Sequence, residues 1–112
     1  MKEISWTEFE NVELRVGKIT EVKDFPEAHK PAYIITADFG SEIGLKRSSA
    51  QLTDLYSKEE LAGKQIIGVI NFSVKQIGPF MSEFLITGFT QPNGSVILAI
   101  PERESTLGSK LG

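Results

Sequence analysis

The sequence predicts a small, mostly β domain, a five-stranded barrel with short helices and extensions at both ends. Three observations carry this expectation. Apolar residues alternate with polar ones over short runs, as on half-buried strands. Turn residues punctuate those runs at short intervals. Helix-capping signals fall at the N-terminus and between the third and fourth strands. A chain of 112 residues builds one hydrophobic core and is too short for two, so residues 1–112 are read as one domain with its core in about 9–100.

Ser5-Trp6-Thr7-Glu8 has the form of a capping box, which starts a short helix with Trp6 and Phe9 on one side. From Glu13 the pattern changes to period two, with Val12, Leu14 and Val16 on one face. Ile19 falls out of phase, which predicts a bulge or sharp coil at Gly17-Lys18. Asp24 to Pro31 reads as a loop bounded by Pro26 and Pro31. Ala32 to Phe39 is the second strand, with Tyr33, Ile35, Ala37 and Phe39 on one face, and Gly40-Ser41 turns into a third, Ile43 to Arg47.

Ser49 is placed to cap a helix reaching Tyr56, and Ser57-Lys58-Glu59-Glu60 is a second capping box whose helix Gly63 stops. Gln65 to Asn71 is apolar on both faces, as in a buried strand. Ser73 to Pro79 reads as a loop, Met81 to Phe89 as a fifth strand, Gln91 to Gly94 as a turn and Val96 to Ile100 as a short sixth strand. The tail from Pro101 holds little apolar material. Five strands with a helix between the third and fourth follow the order of an OB-fold, one of several small barrels that the periodicity allows.

Composition narrows the chemistry. The chain has no cysteine, which excludes disulfides, thiolate catalysis and cysteine-held metals. Its longest apolar runs fall far below the roughly 20 residues that cross a bilayer, and no signal-peptide pattern opens the chain, so a soluble, cytoplasmic protein without membrane insertion is expected. The only histidine, His29, lies in a proline-flanked loop and reads as an exposed loop residue. Glu59 and Glu60 are adjacent on a helix and point apart, so they read as first-turn acids. Asp38 before a turn reads as turn chemistry. With no catalytic set, no phosphate loop and no nucleophile motif, neither an enzyme nor a cofactor is expected.

A net charge of −3 does not mark a nucleic-acid binder, but the charge is uneven. Residues 1–29 carry four basic and seven acidic side chains, whereas 43–82 carry five basic and three acidic. Within the second stretch, Leu45 to Gln51 brings Lys46, Arg47, Ser48 and Ser49 to the expected strand-to-helix junction. Two cations beside free helix N–H groups suit an anion, and the same residues equally suit a solvated strand end. Asn71 to Gln76 and Phe80 to Glu83 add amides, Lys75 and aromatics. Aromatics beside cations suit unpaired bases, and they suit apolar peptide side chains as well.

Several segments then occur in an order that resembles a known family. They are Leu14-Arg15-Val16-Gly17-Lys18-Ile19, Glu27-Ala28, Asp38-Phe39-Gly40, Lys46 to Gln51, Leu61-x-Gly63-Lys64, Asn71-Phe72 and Ser82-Glu83. The set resembles the tRNA-binding domain appended to some aminoacyl-tRNA synthetases, above all its stand-alone, CsaA-like form, over Phe9 to Gly112. The resemblance implies an OB-fold, a homodimer whose terminal extensions help build the interface, and binding of tRNA or other structured RNA. It implies a nucleic-acid surface of Lys46, Arg47, Ser48, Asn71, Lys75, Ser82 and Glu83. The cations would meet phosphates, and Asn71, Ser82 and Glu83 would bond sugar or base edges. CsaA-like proteins also imply an export-related chaperone binding unfolded preproteins, for which Phe72, Phe80 and Phe84 would form apolar pockets. Where family members often carry prolines and arginines after the asparagine, this chain has Ser73-Val74-Lys75-Gln76, which predicts weak, salt-sensitive RNA binding.

Overall fold

A computed structural model describes residues 1–112, all of the chain. In chain order its elements are α1 (Trp6–Glu10), β1 (Leu14–Asp24), β2 (Tyr33–Asp38), β3 (Leu45–Ala50), α2 (Lys58–Leu61), β4 (Gln65–Val69), β5 (Lys75–Ile77), β6 (Phe80–Ser82), β7 (Leu85–Ile86), β8 (Gly88–Thr90) and β9 (Val96–Leu98). The main antiparallel sheet runs β3-β2-β1-β4-β7, and β5-β6 and β8-β9 form two small hairpins. The result is a nearly closed five-stranded barrel with a helix between β3 and β4, as the order of sequence signals predicts. No helix is long and apolar enough to cross a membrane.

Both helices begin where expected. Ser5 and Glu8, and again Ser57 and Glu60, make reciprocal capping boxes. Gly63 leaves α2 at φ +85°, a left-handed conformation that suits glycine. Asp38 Oδ1 accepts from the Gly40 N–H at 2.9 Å, so this acid stabilises the turn after β2.

β1 is long because it serves two partners. Leu14–Lys18 pair with β4, and Lys18–Asp24 pair with β2. The bulge lies between Ile19 and Glu21, just beyond the expected Gly17-Lys18. Val16 and Ile19 are both buried although they point to opposite faces, and that produced the phase shift read at Gly17. Gly17 has a different role. A Cβ there would lie 2.8 Å from the Phe39 ring, and one at Gly68 would lie 2.9 Å from it. The two glycines leave room for Phe39, whose ring meets Phe84 edge-on at 5.1 Å in the core. Burying one such ring contributes about 1.5–3 kcal/mol. Tyr33, Ile35, Ala37 and Phe39 all face this core, as their alternation predicts.

Three segments depart from expectation. β3 continues through Ser49 to Ala50, so Ser49 caps no helix. Ser48 and Ala50 pair with Ile35 and Tyr33, and this ladder outweighs the local capping preference of a serine. The stretch read as a loop, 73–79, contains β5. The single strand expected over Met81–Phe89 is three short ones, because it changes partner from β5 to β4 to β9 as it proceeds.

The tail also does more than its composition suggests. Gly108 N donates to Val16 O, Val16 N to Ser109 O and Leu111 N to Leu14 O. The tail thereby occupies the edge of β1 that β2 takes up only from Lys18 onward. The Gln65 amide bonds both the N–H and the carbonyl of Ser105, and Lys110 Nζ reaches Glu13 Oε2 at 2.9 Å and Glu10 O at 2.8 Å.

Candidate nucleic-acid interface

The end of β3, the chain after β4 and the β5-β6 hairpin enclose a groove of about 740 Å³. Ser48, Ser49, Ala50, Gln51 and Leu52 form one wall, and Phe72, Ser73, Lys75 and Ile77 form the other. Ser82, Phe84, Leu85, Ile86 and Val96 complete the lining. Lys75 is its only charged residue. Three smaller clefts carry both signs: Lys18, Lys64 and Arg103 with Glu104, Arg47 with Glu27 and Glu83, and Arg15 with Glu42. The groove holds one cation and no carboxylate, in a chain of net −3.

Strand pairing explains how residues distant in sequence meet here. Lys75 and Ser82 are direct cross-strand partners in the β5-β6 hairpin, which puts their side chains on one face. Ser48 reaches the same place from β3 because alternation turns it inward, 1% exposed. The Ser82 hydroxyl lies 3.5 Å from the Ser48 hydroxyl and 3.5 Å from Phe84 O. Both contacts are long for an O–H···O bond. Phe72 is 60% exposed. It stands beside a cation, the arrangement on which unpaired bases stack.

Of the expected RNA contacts, Ser48, Lys75 and Ser82 share the groove, and the others are placed differently. Lys46 and Arg47 alternate across β3, so they face opposite sides of the sheet rather than forming one patch. The Arg47 guanidinium lies over the Phe80 ring, 4.9 Å from its centroid. No helix begins at Ser49, so the helix N-terminus expected to hold an anion does not form, and Ser49 and Ala50 pair instead with Ile34 and Tyr33 of β2. Asn71 is exposed, but its amide is bonded to the protein's own backbone. Its Oδ1 accepts from Glu13 N at 3.0 Å, and its Nδ2 donates to Asn11 O at 2.7 Å, tying the end of β4 to the segment after α1. Glu83 Oε1 accepts from Arg47 N at 3.0 Å.

The expected peptide-binding aromatics also separate. Phe80 (5% exposed) packs with Phe25 and Ala32 in a small satellite core. Phe84 (4% exposed) belongs to the main core, with one side toward the groove. Both are structural, because apolar rings are stabilised by burial more than by exposure at a rim. Of the three, only Phe72 is exposed. Sequence reasoning missed the apolar part of the lining, Leu52, Ile77, Leu85, Ile86 and Val96. Their apolar character was legible, but their convergence depends on strand pairing between distant segments.

Comparison with known proteins adds a family. The model described as "Putative tRNA binding domain" matches residues 14–110. The chaperone CsaA of Bacillus anthracis superposes with a TM-score of 0.93 at 39% identity, covering 99% of this chain and 100% of that one. The CsaA chaperone of Picrophilus torridus superposes at 0.92 with 45% identity, over 98% of this chain and all of the other. The methionine–tRNA ligase of Pyrococcus furiosus is 33% identical over 111 residues. That match takes in 99% of this chain and 15% of the ligase.

Proposed function

This chain belongs to the tRNA-binding domain family, and from that premise we propose that it binds tRNA or another structured RNA without catalysing a reaction. The observation that carries the reading is the groove between β3 and the β5-β6 hairpin. Its only charge is Lys75, and an exposed Phe72 stands at its wall. Lys46 and Arg47 supply further cations on β3, outside the groove itself. Few cations neutralise few phosphates, so the binding is weak and, contrary to the expectation of marked salt sensitivity, falls only shallowly with salt.

Filter retention of tRNA at low salt tests this. The wild type is expected to bind. Lys75→Ala and the double substitution Lys46→Ala/Arg47→Ala are each expected to weaken binding. Each lost phosphate contact should flatten the log–log salt dependence by roughly 0.7–0.9. Retention of no tRNA, or indifference to both variants, overturns the reading.

A second reading has its own support. Eight of the fourteen lining residues are hydrophobic, and this suits an extended apolar segment of an unfolded preprotein, as in a chaperone. Such binding would persist at high salt. We also propose that the terminal extensions build a homodimer. Lys110 bonds to the end of α1, bringing both termini together, and Ile4, Trp6 and Leu111 remain exposed there. Sedimentation of the wild type and of Trp6→Glu tests this, with the wild type expected as a dimer and the variant as a monomer.

A further inference from the structure

We propose that the groove receives one unpaired nucleotide, with its base against Phe72 and the Ser48–Ser82 hydroxyls and its phosphate toward Lys75. This rests on the RNA-binding reading and narrows it to a class of RNA structure, an unstacked nucleotide in a loop, bulge or end. A surface that reads a helix must neutralise a succession of phosphates. Here the lining offers a single cation. A helix also presents a broad, shallow minor groove that calls for a protruding reader, whereas this site is concave. Its volume of about 740 Å³ is that of a small-ligand cavity.

The chemistry of the walls matches a base. Leu52, Ile77 and Phe84 offer apolar surface to its faces, and the exposed Phe72 ring offers a stacking partner. The Ser82 hydroxyl decides between a base and an apolar side chain, since Ser48 Oγ already donates to Ser49 O at 3.1 Å. Ser82 makes only two contacts, both at 3.5 Å, so its hydroxyl retains capacity for a better partner. A base edge provides donors and acceptors for it. An apolar side chain in the same place would offer it none.

The test measures fluorescence anisotropy at low salt with four probes. These are a uridine hexamer, an abasic phosphodiester hexamer of the same charge, a blunt RNA duplex and tRNA. The uridine hexamer is expected to bind more tightly than the abasic one and the duplex, and to compete with tRNA. Phe72→Ala is expected to weaken the uridine hexamer roughly 5- to 150-fold while leaving the abasic hexamer unchanged. Phe72→Trp keeps the stacking face and should keep the binding. Phe72 is exposed, so neither change threatens the fold. If tRNA binds but the uridine hexamer binds no better than the abasic one or the duplex, the nucleotide site is overturned and the RNA-binding reading stands. If no RNA binds, both fall. If an apolar peptide binds in a salt-independent way and no hexamer does, the site belongs to the peptide.

Discussion

Arg47 and Glu83 are joined twice across the seam that closes the barrel. Glu83 N donates to Arg47 O at 2.8 Å, and Glu83 Oε1 accepts from Arg47 N at 3.0 Å. The seam adjoins the groove, since Ser48 and Ser82, the next residue on one side and the preceding one on the other, line it. A carboxylate that the family resemblance assigns to RNA thus has a structural partner. Glu83→Ala should lower stability by about 0.5–1.5 kcal/mol through loss of this exposed hydrogen bond, whereas Glu83→Gln, which keeps an acceptor, should be nearly neutral. Urea unfolding of the two variants checks this.

Asn71 is expected to behave in the same way. Its amide holds Glu13 N and Asn11 O. Asn71→Ala should lower stability by about 1 kcal/mol, seen as a lower urea midpoint at unchanged slope, and leave tRNA affinity unchanged. A loss of tRNA binding with no loss of stability would place Asn71 at the ligand instead.

Phe39 and the two glycines that accommodate it form a coupled set. Gly17→Ala and Gly68→Ala each force a methyl against the ring, at a cost of about 1–3 kcal/mol. In a double-mutant cycle, Phe39→Leu should remove part of that cost, giving an interaction energy of at least about 0.5 kcal/mol. Strict additivity would show that the ring is not what the added methyl meets.

The latch on the tail should respond to acid. The hydrogen bond from Lys110, and then that from Arg15, hold the Glu13 carboxyl below its ordinary value of 4.5. A group whose folded pKa is depressed stabilises the fold above its unfolded pKa and loses that contribution as pH falls through the folded value. Tail contacts should therefore loosen below about pH 4.5, first seen as faster hydrogen exchange at Leu111 N and Gly108 N. Glu13→Gln should remove this pH dependence.

The legible parts were those decided locally. Both capping boxes lie within four residues, and the alternation of β2 states which face Tyr33, Ile35, Ala37 and Phe39 present. The element order pointed to a small barrel, and the family segments singled out the OB-fold among the alternatives. The roles of Asn71, Glu83, Phe80 and Phe84 were not legible, because a polar or aromatic side chain looks the same in sequence whether its partner is a ligand or the protein.

The sequence by itself determined the strand order, the two caps, the core face of β2 and the family to which the chain belongs. Tertiary structure alone decided that Lys75 and Ser82 stand opposite each other beside Ser48, with Phe72 left exposed. The physical reason is range. Caps and alternation are set by neighbours a few residues away. The groove depends on hydrogen-bonded register between strands tens of residues apart, where a shift of one residue would turn every side chain to the opposite face.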